Sequence, residues 1–430
     1  MNISPGAKKY FGNTSWLVAE RVLRLLVTLL VVALLARYLG PNQFGLLSYA
    51  TAIFSIFAVA GTLGLNRILV RESVSRPQMQ DTILGTAVAL RLITGGVLVI
   101  IIYFVADVFD AGDPVTPILA VIIGTSLLFQ SLYCIELWFQ AEVKAKHAVT
   151  AKSIAFVIMA ATKVFLIFIG APLIAFAFTI TGEFALGALM LCIVYRSLGN
   201  RLKDWKFDKP LARNFLSEGW PEILAGLGTL VCMRMDQIMI GQMIDADGVG
   251  IYTAASQLSE ALYFIPVAVV SSTFPAIVAA KERDENTYYR RLQQLLSGLT
   301  IYSYIVAIVV TLMSGWIISL LYGESFSGAE DVLVIHVWTG IAVGLGIASG
   351  SWIMAEKKVK LNLYRTVFGA ILNVILNYFL IQSMGITGAA VATLVSLVCA
   401  FYIFDLVYNQ TRKMFLMKTR ALFCTGLTAR

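Results

Sequence analysis

Apolar residues run through this chain in blocks of about twenty, separated by short polar or glycine-bearing stretches. Roughly 20 apolar residues make a helix long enough to cross the hydrocarbon core of a bilayer. The pattern predicts twelve such helices, over residues 16–36, 45–65, 83–106, 117–139, 150–169, 173–195, 220–244, 249–279, 293–316, 331–354, 361–381 and 387–408. Polar residues inside these blocks therefore stand out. The block Trp220–Ile244, WPEILAGLGTLVCMRMDQIMIGQMI, carries Arg234 and Asp236 deep within it. A charge at that depth costs about 2.5–3.5 kcal/mol on insertion scales, so such residues face a bundle interior or a wet cavity.

Composition agrees with the pattern. The chain has 430 residues, 59% hydrophobic and 13% charged, with a mean hydropathy of +0.82. That excludes an ordinary soluble globular domain. Lys8 and Lys9 precede the first block as in a signal peptide, but no small-residue cleavage site follows, so the block reads as an uncleaved first helix. Cys134, Cys192, Cys232, Cys399 and Cys424 have neither disulfide nor metal-ligand spacing and read as small buried hydrophobes.

Basic residues fall on alternate connections. The N-terminus, the segments after the second, fourth, sixth, eighth and tenth blocks, and the C-terminal tail hold 27 of the 33 Lys and Arg residues. The opposite connections carry Asp107, Asp110, Asp113, Asp245, Asp247, Glu324, Glu330 and Asp331, with Arg37 their one basic residue. Cytoplasmic loops hold the excess of Lys and Arg, which predicts both termini inside. The net charge of +8 is then a topology signal with some attraction to anionic lipid, not a nucleic-acid footprint.

The chain also repeats itself. Trp138-Phe-Gln-Ala-Glu-Val-Lys-Ala-Lys146 matches Trp352-Ile-Met-Ala-Glu-Lys-Lys-Val-Lys360 at five of nine positions, including Lys144 against Lys358. Phe44-Gly-Leu-Leu-Ser-Tyr-Ala50 resembles Val249-Gly-Ile-Tyr-Thr-Ala-Ala255, and Gly170-Ala-Pro-Leu-Ile-Ala175 resembles Gly385-Ile-Thr-Gly-Ala-Ala390. Each pair falls at the same place within a six-helix unit. Six crossings return the chain to its starting side, so the expected halves, 1–200 and 216–430 joined by a cytoplasmic linker 201–215, are related by a pseudo-two-fold axis along the membrane normal. An all-α polytopic bundle with charge hidden in its spans and no large loop domain fits a carrier that rocks one half against the other.

The stretch Arg37-Tyr-Leu-Gly-Pro-Asn-Gln-Phe-Gly-Leu-Leu-Ser-Tyr-Ala50 resembles the oligosaccharide flippases of O-antigen and related polysaccharide export, within the superfamily that includes multidrug and toxic-compound extruders. The resemblance continues through Gly64-Leu-Asn-Arg67, Val70-Arg-Glu72, Asp236-Gln-Ile-Met-Ile-Gly241, Val249-Gly-Ile-Tyr-Thr-Ala-Ala255, Phe274-Pro275 and Leu321-Tyr-Gly323. It implies a V-shaped bundle that moves undecaprenyl-diphosphate-linked sugar units from the inner to the outer leaflet of the bacterial cytoplasmic membrane. It also implies no bond chemistry, alternating access, H+ or Na+ coupling in some members, and polymerase and chain-length regulator proteins as neighbours in lipopolysaccharide synthesis.

A diphosphate in transit needs fixed cations, and guanidinium offers paired donors without deprotonating. Arg24, Arg91 and Arg234 are the candidate cavity cations. Glu20 is placed to pair with Arg24, and Arg21 to reach the interface. Arg234 and Asp236, two residues apart, point to opposite helix faces. Asp236, Glu183, Glu260 and Lys163 are candidates for ion coupling or for internal charge pairing, and Glu136 lies nearer the cytoplasmic end. His147 and His336 lack any nucleophile or ligand constellation and read as structural, and no metal site, P-loop or catalytic triad is present. Trp16, Tyr38, Tyr103, Trp138, Trp220, Tyr252, Trp316, Tyr322 and Trp352 fall near span ends, where most are expected as interfacial anchors. Two other readings compete. A cation-coupled drug exporter of the same superfamily calls for acidic rather than arginine-rich walls, and a membrane polysaccharide polymerase calls for a substantial outer loop.

Overall fold

The computed structural model describes residues 5–109, 113–356 and 358–425, without the side chains of 5–21 and 359. Lys8, Lys9, Trp16, Glu20, Arg21, Asp110, Lys357 and Arg430 lie outside that description. The helices are α1 Pro5–Gly61, α2 Leu65–Ser75, α3 Gln80–Val108, α4 Val115–Gly124, α5 Ser126–Gln130, α6 Cys134–Ala141, α7 Ala145–Phe168, α8 Leu173–Ser197 and α9 Lys209–Met243. They continue as α10 Ala246–Ala261, α11 Phe264–Arg283, α12 Glu285–Leu321, α13 Ala329–His336, α14 Thr339–Ala355, α15 Val359–Met384, α16 Ile386–Val398, α17 Phe404–Val407 and α18 Arg412–Leu422.

Among the described residues, eleven continuous helical stretches are long and apolar enough to span a membrane, the first of them Val22–Ser75. That stretch holds the first two expected crossings. At Gly40 the backbone leaves the helix (φ 70°, ψ 172°) ahead of Pro41. Proline disfavours helical geometry in the residue before it, and glycine takes a positive φ without a Cβ penalty. The remaining ten stretches coincide with the other ten expected spans. Several are broken inside: α10 and α11 share one, as do α13 and α14, and a π turn at Cys399–Ile403 joins α16 to α17.

Packing groups the chain into two compact units, Leu39–Thr253 with Leu363–Thr393, and Met1–Tyr38 with Ala254–Asn362 and Leu394–Arg430. In the first unit, Leu65, Leu69, Ile83, Leu84, Cys134, Phe139 and Phe215 form a core around Trp138 and Tyr195, whose rings meet edge to face at 5.0 Å. In the second, Trp352 packs with Tyr288, Leu292, Leu296, Met414 and Met417. The repeated motif thus builds the same feature twice. Lys144 Nζ lies 5.6 Å from the centre of the Trp138 ring, and Lys358 Nζ lies 5.1 Å from that of Trp352, both within cation–π range. Trp138, Tyr252, Tyr322 and Trp352 are therefore buried core residues rather than interfacial anchors, each 4% exposed or less. Large aromatic rings at span ends serve the core wherever neighbouring helices cover them.

The expected linker, 201–215, lies inside the first unit and is laid onto α3. Lys206 N–H donates to the Asp81 carbonyl at 3.3 Å, and Asp208 N–H donates to Thr86 Oγ1 at 3.0 Å. Gly85 permits this because a Cβ there would meet the Lys206 backbone. Asp208 then caps α9 by accepting from Leu211 N–H at 2.7 Å, as Asp284 caps α12 by accepting from Thr287 N–H at 2.8 Å. Hydrogen bonds from Thr287 hold the Asp284 carboxyl below the usual carboxylate range. Arg37, the basic exception among acidic connections, donates to the Ser319 and Leu320 carbonyls at 3.1 and 2.5 Å, capping the C-terminus of α12.

The C-terminal segment expected as a cytoplasmic tail is ordered as α18 along α12. Lys418, fully buried, pairs with Asp405 at 2.6 Å and donates to the Phe401 carbonyl at 2.5 Å in the π turn. A buried lysine needs such partners, and sequence proximity to Arg412 and Lys413 concealed its role.

The repeated glycines meet each other. A Cβ on Gly45 would strike the carbonyl of Ala246, and one on Gly250 would strike that of Pro41, in each case the residue four before the other glycine. The contact is reciprocal, and Asn42 Nδ2 extends it by donating to Asp247 Oδ2 at 3.0 Å. Gly250→Val is expected to destabilise the full chain by about 1–3 kcal/mol through overpacking. Gly298→Ala, where nothing lies within 4 Å, is expected to be neutral or stabilising. Thermal melting in detergent compares the two, and equal melting temperatures would contradict the close crossing.

Candidate functional site

Helix α9 carries Arg234 and Asp236 through the first unit. Asp236 is 2% exposed and is enclosed by neutral donors. Its Oδ1 accepts from Asn373 Nδ2 at 3.2 Å and from Asn377 Nδ2 at 2.6 Å. Its Oδ2 accepts from Tyr252 Oη at 2.5 Å and from the Thr393 hydroxyl. Four donors arrive from α10, α15 and α16, and no basic side chain is among them. Asp236 is buried, while Arg234, two residues before it on α9, is half-buried.

The cage has one open valence. Asn377 Nδ2 also donates to Asn373 Oδ1 at 3.1 Å, but Asn377 Oδ1 is buried with no hydrogen-bond partner. The carboxylate is met there by two hydroxyls and two amide nitrogens, and these neutral donors balance it. Among the described residues no three His, Cys, Asp or Glu side chains gather in one place. The sequence reading missed Asn373, Asn377, Tyr252 and Thr393. The signal was present in Asn373 and Asn377, polar residues one helical turn apart within an otherwise apolar block.

The other candidates occupy several places. Arg91 on α3 is 5% exposed and brackets the break between α1 and α2, donating to the Thr62 carbonyl at 3.0 Å and to Asn66 Oδ1 at 2.8 Å. Leu63 and Gly64 sit there at positive φ, 53° and 64°. No carboxylate partners Arg91 among the described residues, and its Nε is buried without an acceptor. Arg24 lies half-buried on α1, and Glu260 half-buried on α10, both in the second unit. Lys163 on α7 pairs with Glu183 on α8 at 3.8 Å, and Lys152 pairs with Glu136 at 2.9 Å. His336, 3% exposed, is held by Ser259 Oγ at 2.8 Å from its Nδ1, in the structural role expected of it.

A family model described as "Polysaccharide biosynthesis protein" matches residues 34–331. The "Probable low-salt glycan biosynthesis flippase Agl15" of Haloferax volcanii is 23% identical over 375 residues, 85% of this chain and 76% of that protein. Two solved structures share the fold. An inward-facing multidrug resistance MATE family transporter of the MOP superfamily superposes with a TM-score of 0.74 at 16% identity, covering 95% of this chain and 96% of that one. The lipid II flippase MurJ in an inward closed conformation gives 0.73 at 17% identity, covering 96% and 92%.

Asp236→Ala removes the acceptor shared by four buried donors, each worth about 1–3 kcal/mol when left unsatisfied. Asp236→Asn keeps one carbonyl oxygen. Full-chain melting in detergent is expected to fall further for the alanine variant than for the asparagine variant. An alanine variant as stable as wild type would contradict the cage.

Proposed function

Because the chain belongs to the polysaccharide biosynthesis protein family, we propose that it is a flippase that carries undecaprenyl-diphosphate-linked oligosaccharide units from the cytoplasmic to the outer leaflet of the bacterial inner membrane. The observation that carries this reading is a multi-pass bundle with arginines and a carboxylate inside its spans, aligned over 85% of its length with a glycan flippase. Both termini are cytoplasmic, as the distribution of Lys and Arg supports. The protein is a carrier, not an enzyme, and a polymerase and a chain-length regulator act on what it delivers.

The moving bodies are the six-helix repeats 1–200 and 216–430, joined by 201–215. The matched motifs around Gly45 and Gly250 support that division, since each repeat carries the same glycine at the same place. Arg24 in one unit and Arg234 in the other are each a cation for the diphosphate, and Arg91, behind the α1–α2 break, adds a positive charge with no carboxylate partner among the described residues. Asp236 is the coupling residue, taking up H+ or Na+ within its neutral cage. Glu183, Glu260 and Lys163 set the internal charge balance. The arginines argue against a drug exporter with acidic walls.

Reconstituted transfer of the lipid-linked oligosaccharide tests the assignment. Losing a charge-assisted contact of about 1.5–3 kcal/mol corresponds to a roughly tenfold to hundredfold loss, which is expected for Arg234→Ala, with Arg234→Lys retaining part of the activity. Asp236→Asn is expected to bind the substrate and to lose acceleration by an imposed H+ or Na+ gradient. Full transfer by Arg234→Ala, or gradient acceleration intact in Asp236→Asn, would contradict the roles given to these residues.

A further inference from the structure

Helices α6, α7 and α8 of the first unit carry a band of polar and aromatic side chains that the diphosphate site does not account for. Its inner end is the Lys152–Glu136 pair, at 2.9 and 3.0 Å to the two carboxylate oxygens, about 8–10 Å from the inner ends of their helices at 1.5 Å per residue. Next is Tyr133, with Lys152 Nζ 5.5 Å from its ring centre. Tyr133 lies 6.1 Å from Phe184, their planes inclined at 43°. Beyond Phe184 comes the Lys163–Glu183 pair, at 3.8 Å, with Lys163 about 8 Å from the outer end of its helix.

Two features say what this band faces. The charged side chains keep 19–27% of their surface exposed within apolar, span-length helices, and charge turned toward hydrocarbon is strongly unfavourable. Their open side therefore meets water. The band is also electrically balanced, two lysines against two glutamates, and so has no net attraction for a diphosphate. It offers hydrogen-bond donors and acceptors on either side of two partly buried rings, which is the chemistry of a neutral, hydroxyl-rich ring. The placement of Tyr133 is built in, because its hydroxyl rests against Gly187 where a Cβ would leave it no room. Phe184 is backed by buried Phe54 at 6.0 Å.

We propose that Tyr133 and Phe184, flanked by Glu136–Lys152 and Glu183–Lys163, form the track along which the glycan of the lipid-linked substrate is held, separate from the arginines that hold its diphosphate. This rests on the flippase reading and adds the sugar-binding face to it. Each ring contributes about a tenfold factor or less to affinity, the scale of an aromatic contact.

The test is equilibrium binding to the full chain in nanodiscs, with two probes: lipid-linked oligosaccharide extracted from the host, and undecaprenyl diphosphate bearing no sugar. Tyr133→Leu and Phe184→Leu are expected to weaken the sugar-bearing probe by about tenfold and the bare carrier by less than twofold. Glu183→Gln, at a half-exposed position, gives the same comparison should either leucine variant fail to fold. Variants that weaken both probes equally, or neither, while the wild type binds both, would overturn the track and leave the flippase reading standing. A wild type that binds neither probe would overturn both.

Discussion

A polar group carried into hydrocarbon has no water to turn to, so it must find its partner within the protein or line a wet surface. That constraint arranges this molecule at every scale. It keeps the crossings helical, and it explains three of the interruptions. The break at Gly40 and Pro41 divides two crossings. The break at Leu63 and Gly64 is closed by Arg91 on the Thr62 carbonyl, and the π turn near Cys399 is closed by Lys418 on the Phe401 carbonyl. Cations that sequence would place anywhere in a membrane thus serve as caps for backbone that has left the helix.

The same constraint separates the charges by task. Asp236 is sealed by hydroxyls and amides with no cation among its partners. Structural carboxylates that pair with arginine are balanced by charge, whereas this one is balanced by hydrogen bonds. The pairs on α6–α8 are neutral overall and partly open. On the proposed reading, an amphiphilic substrate with an anionic joint and a neutral glycan would use both kinds of surface, which lie on different helices.

Much of this was legible in the chain. Apolar block length fixed the crossings, because in lipid a span has one dominant length scale, and the repeat matched the motif of Gly45 with that of Gly250, though not their contact. What stayed hidden was tertiary. Nothing near Trp138 or Trp352 distinguishes a core indole from an interfacial one, and Lys418 differs from Arg412 only in what covers it. The cage around Asp236 draws on residues 16 to 157 positions away, so no local pattern assembles it. Asn373 and Asn377 were the one local hint, and their meaning depends on a carboxylate from another helix.

Whether this fold moves a lipid-linked glycan between leaflets is read from the sidedness of that glycan in cells. In cells lacking the protein, extraction of carrier-linked oligosaccharide from each membrane face is predicted to show completed units accumulating on the cytoplasmic face, with return to the outer face when the gene is restored. Units that reach the outer face in normal amount and remain there unpolymerised would contradict the account and assign the chain to polymerisation instead.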